Sequence, residues 1–334
     1  METIPTLILT ARSDCIVLLG TCGHQLDAGG RLVFPAPFDG EIVFTAWGIR
    51  DGCELIPIPM LARIRFSNGS VIGSTLPVVD WGFAAEAEIS LPTIPRDRCD
   101  MPLLLDSKEI PFGGKTAKAE LYRDGVIRLG ISGRGMDPVT LAIGEGRSGS
   151  LGVLDVGSER LINISISSGY GERLILLNGE AETLLDISGD TAEVIDGLPT
   201  AITGLDTVRG HEKKQSFEFA GGSFRSPKEE IGFFTHSPHE PEDDRERALS
   251  VIEEAHIGID EEWMRFVDPE LAKELTGGAL RDFLGLFDKA KLAPVTEPAG
   301  RVTVGLIDNG LLISRPRLLS CVMSGGMLTD IEEG

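Results

Sequence analysis

The sequence predicts a mainly β protein made of two hairpin-rich antiparallel modules, with a small α-helical insertion near the C-terminus. Short runs in which apolar and polar residues alternate recur along most of the chain, a pattern typical of strands with one buried face. Dipeptides that favour tight hairpin turns separate many of these runs. Between residues 243 and 292 the apolar residues instead recur every three or four positions, which indicates helix.

The clearest hairpins are predicted between residues 150 and 190. The run Leu161–Ile166 alternates and places three isoleucines on one face of a strand. Asn178-Gly179 separates Arg173–Leu177 from Thr183–Ile187, and this dipeptide tolerates the positive φ angles of a two-residue turn. Similar turns are predicted at Gly157-Ser158, Asp124-Gly125 and Asn309-Gly310.

The β pattern divides the chain into two modules. Residues 1–95 are expected to form an N-terminal β-sandwich-like module, in which prolines mark the ends of the strands. Residues 116–224 together with 299–323 are expected to form the second module, for which a propeller-like ring is the alternative architecture. Residues 96–115 are predicted to be a linker and residues 225–243 an exposed connection.

Residues 243–292 are predicted to form a helical subdomain. Asp268-Pro269 is a helix start signal, because a capping aspartate precedes a proline at the first helical position. Gly258 and Gly277-Gly278 are predicted to end or interrupt helices. The apolar face of this segment must pack on the β body or on a partner, so oligomerisation through residues 243–292 is one expectation.

The charge of the chain limits its partners. With 334 residues and a formal net charge of −21, it does not fit nucleic acid or an anionic membrane, which both require basic residues. Beyond a role in solubility, the charge fits a cationic partner or a divalent metal. The N-terminus lacks the basic segment of a signal peptide, and the five cysteines are an odd count. Free thiols and a cytoplasmic location are therefore expected.

No cofactor is predicted, although two glycine-rich stretches partly match nucleotide-binding motifs. Gly144–Gly149 has the spacing G-x-G-x-x-G, but a dinucleotide site also needs a helix directly after it, and Ser150–Val156 is predicted to be a strand. Gly113–Thr116 resembles the end of a P-loop, but Glu109 stands where the first glycine belongs. Both stretches are expected to be ordinary loops.

His236 and His239 are the predicted metal ligands. Four carboxylates follow them closely, at Glu240, Glu242, Asp243 and Asp244. Imidazoles and carboxylates bind zinc, and carboxylates alone bind harder cations. Pro238 and Pro241 hold this segment extended, so the alternative is a solvated acidic loop.

Asp80 and Trp81 are the predicted ligand contacts. They lie in a loop-like stretch between Val78 and Phe83. An exposed indole beside a carboxylate could stack on a sugar or on a partner protein. Packing of Trp81 in the core or between domains is the alternative.

The sequence favours a non-catalytic binding or assembly protein that presents loops on a β scaffold, with a protein or a carbohydrate as its partner. Sheets built of hairpins present loops at their ends, where binding residues concentrate. The alternative is a glycan-acting hydrolase that uses paired carboxylates. A cleft that holds two carboxyl groups about 5–10 Å apart would favour this alternative. The sequence leaves open the identity of the ligand and whether the protein is an enzyme.

Overall fold

The computed structural model describes residues 5–49, 55–95, 102–259, 262–276, 278–308 and 312–333. Strands make up 56% of the described residues and helices 10%, and most neighbouring strands are antiparallel. The predicted mainly β fold class is therefore confirmed. The predicted turn at Asn309-Gly310 and the glycine at position 277 lie outside the described residues.

The strands of the N-terminal half follow one another at short intervals. They are β1 (Thr6–Ala11), β2 (Cys15–Leu19), β3 (Cys22–Leu26), β4 (Arg31–Pro35), β5 (Gly40–Gly48), β6 (Leu55–Pro57), β7 (Met60–Ser67), β8 (Ser70–Ser74), β9 (Val78–Asp80), β10 (Ala84–Ile89), β11 (Thr93–Pro95), β12 (Leu103–Phe112), β13 (Lys115–Asp124), β14 (Val126–Ser132), β15 (Val139–Gly144) and β16 (Ser148–Val156).

The remaining strands precede and follow the helical segment in the sequence. They are β17 (Glu159–Ser168), β18 (Gly171–Leu177), β19 (Thr183–Gly189), β20 (Thr191–Ile195), β21 (Leu198–Gly204), β22 (Glu212–Ser216), β23 (Phe219–Ala220), β24 (Ser223–Phe224), β25 (Lys228–Gly232), β26 (Lys289–Leu292), β27 (Arg301–Ile307), β28 (Ile313–Ser314), β29 (Arg317–Ser324) and β30 (Met327–Glu333). The helices are α1 (Asp244–Ile257), α2 (Pro269–Leu275) and α3 (Ala279–Leu284), with a 3-10 helix at Trp263–Phe266.

The chain forms two compact units. The first unit comprises Met1–Ile94, Asp206–Arg209 and His239–Gly334. The second unit comprises Pro95–Leu205 and Gly210–Pro238. The C-terminal strands therefore belong to the first unit and not to the module of residues 116–224 with which the sequence grouped them.

Pairing between strands that are far apart in the sequence explains this difference in the domain division. Ile313 and Ser314 of β28 pair in parallel with Val78 and Val79 of β9. Strand pairing between distant parts of a chain leaves no local signal, because each strand needs only an alternating or apolar pattern of its own.

The first unit contains two five-stranded sheets that share one core. Their strand orders are β28-β9-β10-β1-β4 and β3-β2-β5-β7-β8. Leu7 and Leu9 of β1 pack in the same buried cluster as Phe44 of β5 and Ile64 of β7. Shared burial of inward-facing residues from both sheets is consistent with the sandwich-like prediction.

The helical segment packs on a third sheet of the first unit, with strand order β26-β27-β29-β30. Ala248, Val251 and Ile252 of α1 are fully buried in a cluster that includes Val304 and Leu319 of this sheet. The apolar face of α1 is thus covered within the same chain. No helix among the described residues is long and apolar enough to cross a bilayer.

The predicted helix boundaries in this segment agree with the structure. Helix α1 ends at Gly258, which adopts the left-handed conformation that favours glycine. Helix α2 starts with Pro269 at its first turn, and the Asp268 carboxylate accepts a hydrogen bond from the N–H of Glu270 (2.9 Å).

The second unit is built on three four-stranded sheets whose strands follow the chain in order. These sheets are β12-β13-β14-β15, β16-β17-β18-β19 and β20-β21-β22-β25. Leu121 and Leu129 of the first sheet share a buried cluster with Leu151, Ile164 and Ile175 of the second. The first two sheets therefore share one core, which is consistent with the sandwich-like prediction, and the propeller-like ring remains a prediction.

Two predicted connections of the second unit are partly strands. Within residues 96–115, β12 pairs along its length with β13, and Ile110 and Phe112 are buried. Within residues 225–243, β25 pairs with β22. Charged residues on the exposed side of each segment hid the strand from a reading based on composition.

The turn predictions are mostly confirmed. Asp124 ends β13 and Gly125 connects it to β14, and Gly157-Ser158 lies between β16 and β17. The prediction of a two-residue turn at Asn178-Gly179 is wrong, because residues 178–182 form a longer loop. The Asn178 side chain accepts hydrogen bonds from the N–H groups of Glu180 and Glu182 (both 2.9 Å), which stabilises that loop.

Candidate functional site

The predicted ligand contacts Asp80 and Trp81 lie inside the first unit. Trp81 is only 4% exposed and packs in a cluster with Ile307. The Asp80 carboxylate accepts hydrogen bonds from the N–H groups of Val71 and Gly82 (both 3.0 Å). The expectation of an exposed indole is therefore corrected: Trp81 is a core residue, and Asp80 positions the backbone around it.

The predicted metal ligands His236 and His239 each lie beside one carboxylate. His236 Nδ1 is 3.3 Å from Glu212 Oε1 in the second unit, and His239 Nε2 is 3.1 Å from Glu246 Oε2 in the first unit. Within the described ranges, neither histidine belongs to a group of three or more His, Cys, Asp or Glu side chains with ligand atoms within 4.8 Å of one another. Their local geometry is that of histidine–carboxylate pairs.

A pocket of ≈ 360 Å³ lies where several strand connections of the second unit converge. We call it the loop-end pocket. It is lined by the aromatic ring of Tyr170, by carboxylates and by hydroxyls, namely Glu145, Glu172, Asp190, Ser168, Ser188 and Thr203. Glu145 follows β15, Tyr170 lies between β17 and β18, and Asp190 lies between β19 and β20. The pocket is thus made by the ends of hairpins.

The turn between β17 and β18 holds Tyr170 outward. The Ser168 hydroxyl donates to the carbonyl of Gly171 (3.0 Å) and accepts from the N–H of Tyr170 (3.1 Å). Gly171 has φ 132°, and a Cβ there would lie 2.3 Å from the carbonyl oxygen of Gly189. Only glycine fits this position, and the resulting tight turn leaves the Tyr170 side chain 75% exposed.

Backbone hydrogen bonds fix two carboxylates of the loop-end pocket. Glu172 Oε2 accepts from the N–H of Ala192 (3.2 Å), and Asp190 Oδ2 accepts from the N–H of Gly204 (2.6 Å). Each carboxylate has a second oxygen available to a ligand. Glu145 is exposed and forms no hydrogen bond or ion pair with another described residue.

The guanidinium of the loop-end pocket is already engaged. Arg173 forms two hydrogen bonds with the Asp186 carboxylate (2.7 and 2.5 Å) and a third with the carbonyl of Ile143 (2.9 Å). The hydrogen bond to Asp186 raises the pKa of Arg173. The groups left for a ligand are therefore mostly acceptors, beside one exposed aromatic ring.

A second concave region, of ≈ 560 Å³, lies in the first unit, and we call it the strand cleft. Its floor is the face of the sheet opposite to the sandwich core, with Thr10 of β1 paired to Glu88 of β10. Glu86 and Glu88 point to the same face because they are two residues apart on one strand. Lys289 and Lys291 of β26 line the same cleft.

Opposite charges are paired within the strand cleft. Glu86 is 7% exposed and lies 2.7 Å from the Lys291 ammonium, with Arg31 at 3.9 Å. Arg12 pairs with Glu88 at the rim. Lys289 pairs with Asp206, which is 80% exposed. The cleft therefore presents both signs of charge, unlike the acidic loop-end pocket.

Charged groups are also buried beside α1 in the first unit. Arg209 is 2% exposed and donates to Glu254 (3.0 Å) and Glu262 (2.7 Å). Glu253 accepts a hydrogen bond from the N–H of Val208 (2.7 Å). Burial raises the pKa of Glu253 to about 8, so this carboxyl group carries a proton at neutral pH.

The sequence reading did not single out Tyr170 or the Glu86–Glu88 pair. Tyr170 stands between Gly169 and Gly171, and a large aromatic residue flanked by glycines between two predicted strands is a detectable signal. The two glutamates alternate with alanines in β10. That alternation indicates a shared face but not the cations that oppose it.

Comparison with known proteins found no family model that matches the chain and no significant match among curated proteins. The function is therefore inferred from the residues of the loop-end pocket and the strand cleft.

Proposed function

We propose that this protein is a non-catalytic binding protein whose ligand is a carbohydrate held in the loop-end pocket. The observation that carries this proposal is the 75% exposure of Tyr170 over a pocket lined with hydrogen-bond acceptors. An aromatic ring offers an apolar face to the C–H groups of a sugar ring, and its hydroxyl remains available as a polar contact. Pockets that combine an aromatic wall with a few polar groups are typical ligand sites.

The carboxylates of the pocket suit recognition of sugar hydroxyls. Glu172 and Asp190 are oriented by backbone N–H groups, so their remaining oxygens accept hydrogen bonds in fixed directions. Hydrogen bonds to a charged acceptor are stronger than those between neutral groups. This arrangement supports binding, because a backbone hydrogen bond orients each carboxylate toward a ligand.

Isothermal titration calorimetry with neutral oligosaccharides tests this proposal. We would titrate cellohexaose, xylohexaose, maltohexaose and chitohexaose into the full chain and into Tyr170→Ala, Tyr170→Phe and Tyr122→Phe. We expect at least one sugar to bind, with affinity lost in Tyr170→Ala, mostly kept in Tyr170→Phe and unchanged in Tyr122→Phe. Equal binding to all variants would show that the sugar binds outside the loop-end pocket. Binding of a basic peptide but of no sugar would retain the pocket and overturn the carbohydrate assignment.

A glycan-acting hydrolase is the second candidate function, and the strand cleft is the observation that favours it. Residues two apart on a strand have α-carbons about 6.6 Å apart, which is compatible with the carboxyl separations of glycosidases. Glu86 and Glu88 meet this condition. In the structure each lies against a cation, Lys291 or Arg12, which would have to move before the carboxyl group could exchange a proton with a sugar.

Release of reducing ends from the same oligosaccharides distinguishes the two functions. Turnover by the full chain that disappears in both Glu86→Gln and Glu88→Gln would establish the hydrolase. Sugar binding without turnover supports the binding protein.

A reducing, cytoplasmic location is part of the proposal. Cys15, Cys22 and Cys321 are free thiols, and burial raises the pKa of Cys321 to about 12, which suppresses its reactivity. Alkylation of the protein in acid-quenched cells is expected to find these thiols reduced. Disulfide-linked cysteines in that measurement would contradict the location.

A further inference from the structure

We infer that the strand cleft of the first unit binds a zwitterionic ligand with an apolar side chain, a free α-amino acid or a short peptide. This inference concerns a different site from the loop-end pocket and does not depend on the carbohydrate proposal. It follows from the charges and the apolar wall of the cleft.

The buried carboxylate of the cleft determines which ligands can displace its partners. Glu86 is 7% exposed and is held by Lys291. A buried charge that loses its partner is strongly destabilised. A ligand that displaces Lys291 must therefore bring a cation of its own, and an ammonium group meets this need.

The cleft also offers a cation whose present partner is easily replaced. Lys289 pairs with Asp206, whose side chain is 80% exposed to solvent. Exposed ion pairs contribute little free energy, so a ligand carboxylate can take the place of Asp206 at small cost. A zwitterion supplies the ammonium for Glu86 and the carboxylate for Lys289 together. A ligand with a single charge leaves one of these groups without a ligand partner.

Thr10 forms part of the floor of the cleft, where it is paired with Glu88 of the neighbouring strand. Its hydroxyl oxygen is inaccessible to solvent. The polar contacts that the cleft offers to a ligand are therefore those of its charged side chains.

An apolar wall and the volume define the rest of the ligand. Pro77, Val79, Ile307 and Leu312 line the cleft, and Leu312 is 49% exposed. Covering such a surface removes apolar area from water. A volume of ≈ 560 Å³ lies in the range of sites for small ligands, which suits a leucine-like amino acid or a dipeptide.

A set of leucine derivatives tests the charge requirement by calorimetry at constant ionic strength. L-leucine and the dipeptide Leu-Leu carry both charges, N-acetyl-leucine only the carboxylate, and leucinamide only the ammonium. We expect a zwitterion to bind at least about tenfold more tightly than either singly charged compound. The tighter of leucine and Leu-Leu identifies amino acid or peptide. Equal binding of a singly charged compound overturns the inference. Failure of Leu-Leu and every standard amino acid to bind at millimolar concentration also overturns it.

Two variants locate that binding in the strand cleft. Leu312→Ala shortens the apolar wall of the cleft at a side chain that is 49% exposed, so we expect a nearly unchanged melting temperature and about tenfold weaker binding. Lys289→Met is expected to weaken binding of the carboxylate-bearing compounds. The control is Lys273→Met, because Lys273 also pairs with an exposed carboxylate, Glu270, but does not line the cleft. Wild-type affinity in both cleft variants would show that the inference is wrong.

Discussion

The strand cleft and the loop-end pocket differ in the burial and pairing of their charged side chains. In the strand cleft Glu86 is nearly buried and pairs with Lys291, so removal of its partner is expected to destabilise the first unit. In the loop-end pocket Glu145 and Asp190 are exposed, and Tyr170 projects beside them. A ligand of the strand cleft must therefore replace an existing charge partner, while the exposed charges at the hairpin ends can bind a ligand without such an exchange.

The contrast between buried and exposed charged groups can be tested by substitution. The largest effect is expected at Glu253, which is buried on α1 in the first unit. Its pKa is about 8 in the folded protein and 4.5 when unperturbed. Between these pH values the unfolded chain releases the proton and the folded chain keeps it, so stability falls as pH rises. Below pH 4.5 both states are protonated and the penalty is absent.

Glu253→Gln keeps an acceptor for the N–H of Val208 but does not titrate. We expect the variant to gain stability relative to the parent as pH rises from 5 to 9, by up to about 4–5 kcal/mol. Urea unfolding of both proteins at several pH values measures the difference. Parallel stability profiles would show that Glu253 is ionised in the folded state.

The next largest effect is expected at Lys291 in the strand cleft. Lys291→Met leaves Glu86 buried with only Arg31 at 3.9 Å, so we expect a loss of about 2–3 kcal/mol in the free energy of unfolding. Lys273→Met is the control, with a change of about 0.5 kcal/mol or less, because its ion pair is exposed. Equal losses of unfolding free energy in the two variants would show that the buried ion pair matters no more for stability than the exposed one.

A smaller effect is expected at the turn that presents Tyr170. Gly171→Ala forces a Cβ against the carbonyl of Gly189 at an unfavourable φ, with an expected cost of about 2 kcal/mol and weakened sugar binding. Gly157 also has positive φ but open space around its Cα, so Gly157→Ala should cost only about 1 kcal/mol and leave binding unchanged. Chemical denaturation and calorimetry on both variants provide the comparison.

The smallest effect on stability is expected at Tyr170 itself. Since the side chain is 75% exposed, Tyr170→Ala should change the free energy of unfolding by about 0.5 kcal/mol or less while it abolishes sugar binding. A loss of several kcal/mol would mean that Tyr170 is a packing residue and not a displayed one.

Local features of the fold could be predicted from the sequence, because they depend on neighbouring residues. The alternating strand around Ile164, the turn at Asp124-Gly125 and the helix start at Asp268-Pro269 each follow from a short pattern. The loop at Asn178 was misread because its side chain binds backbone groups beyond the expected two-residue turn.

Burial and pairing between distant segments could not be predicted. Trp81 is buried by Ile307 and its neighbours, which come from the far end of the chain. Glu86 is neutralised by Lys291 for the same reason. Tyr170, by contrast, is presented by its own hairpin, so a site of this kind can be recognised from a single stretch of sequence.

The most direct test of the carbohydrate proposal is fluorine NMR of the full chain labelled with 3-fluorotyrosine. The chain has two tyrosines, so the spectrum should contain one signal from Tyr170 and one from Tyr122, which serves as an internal control. On titration with the oligosaccharide that binds, the proposal predicts a saturable shift of the Tyr170 signal and a constant Tyr122 signal. A sugar that binds without shifting the Tyr170 signal would contradict the loop-end pocket as its site.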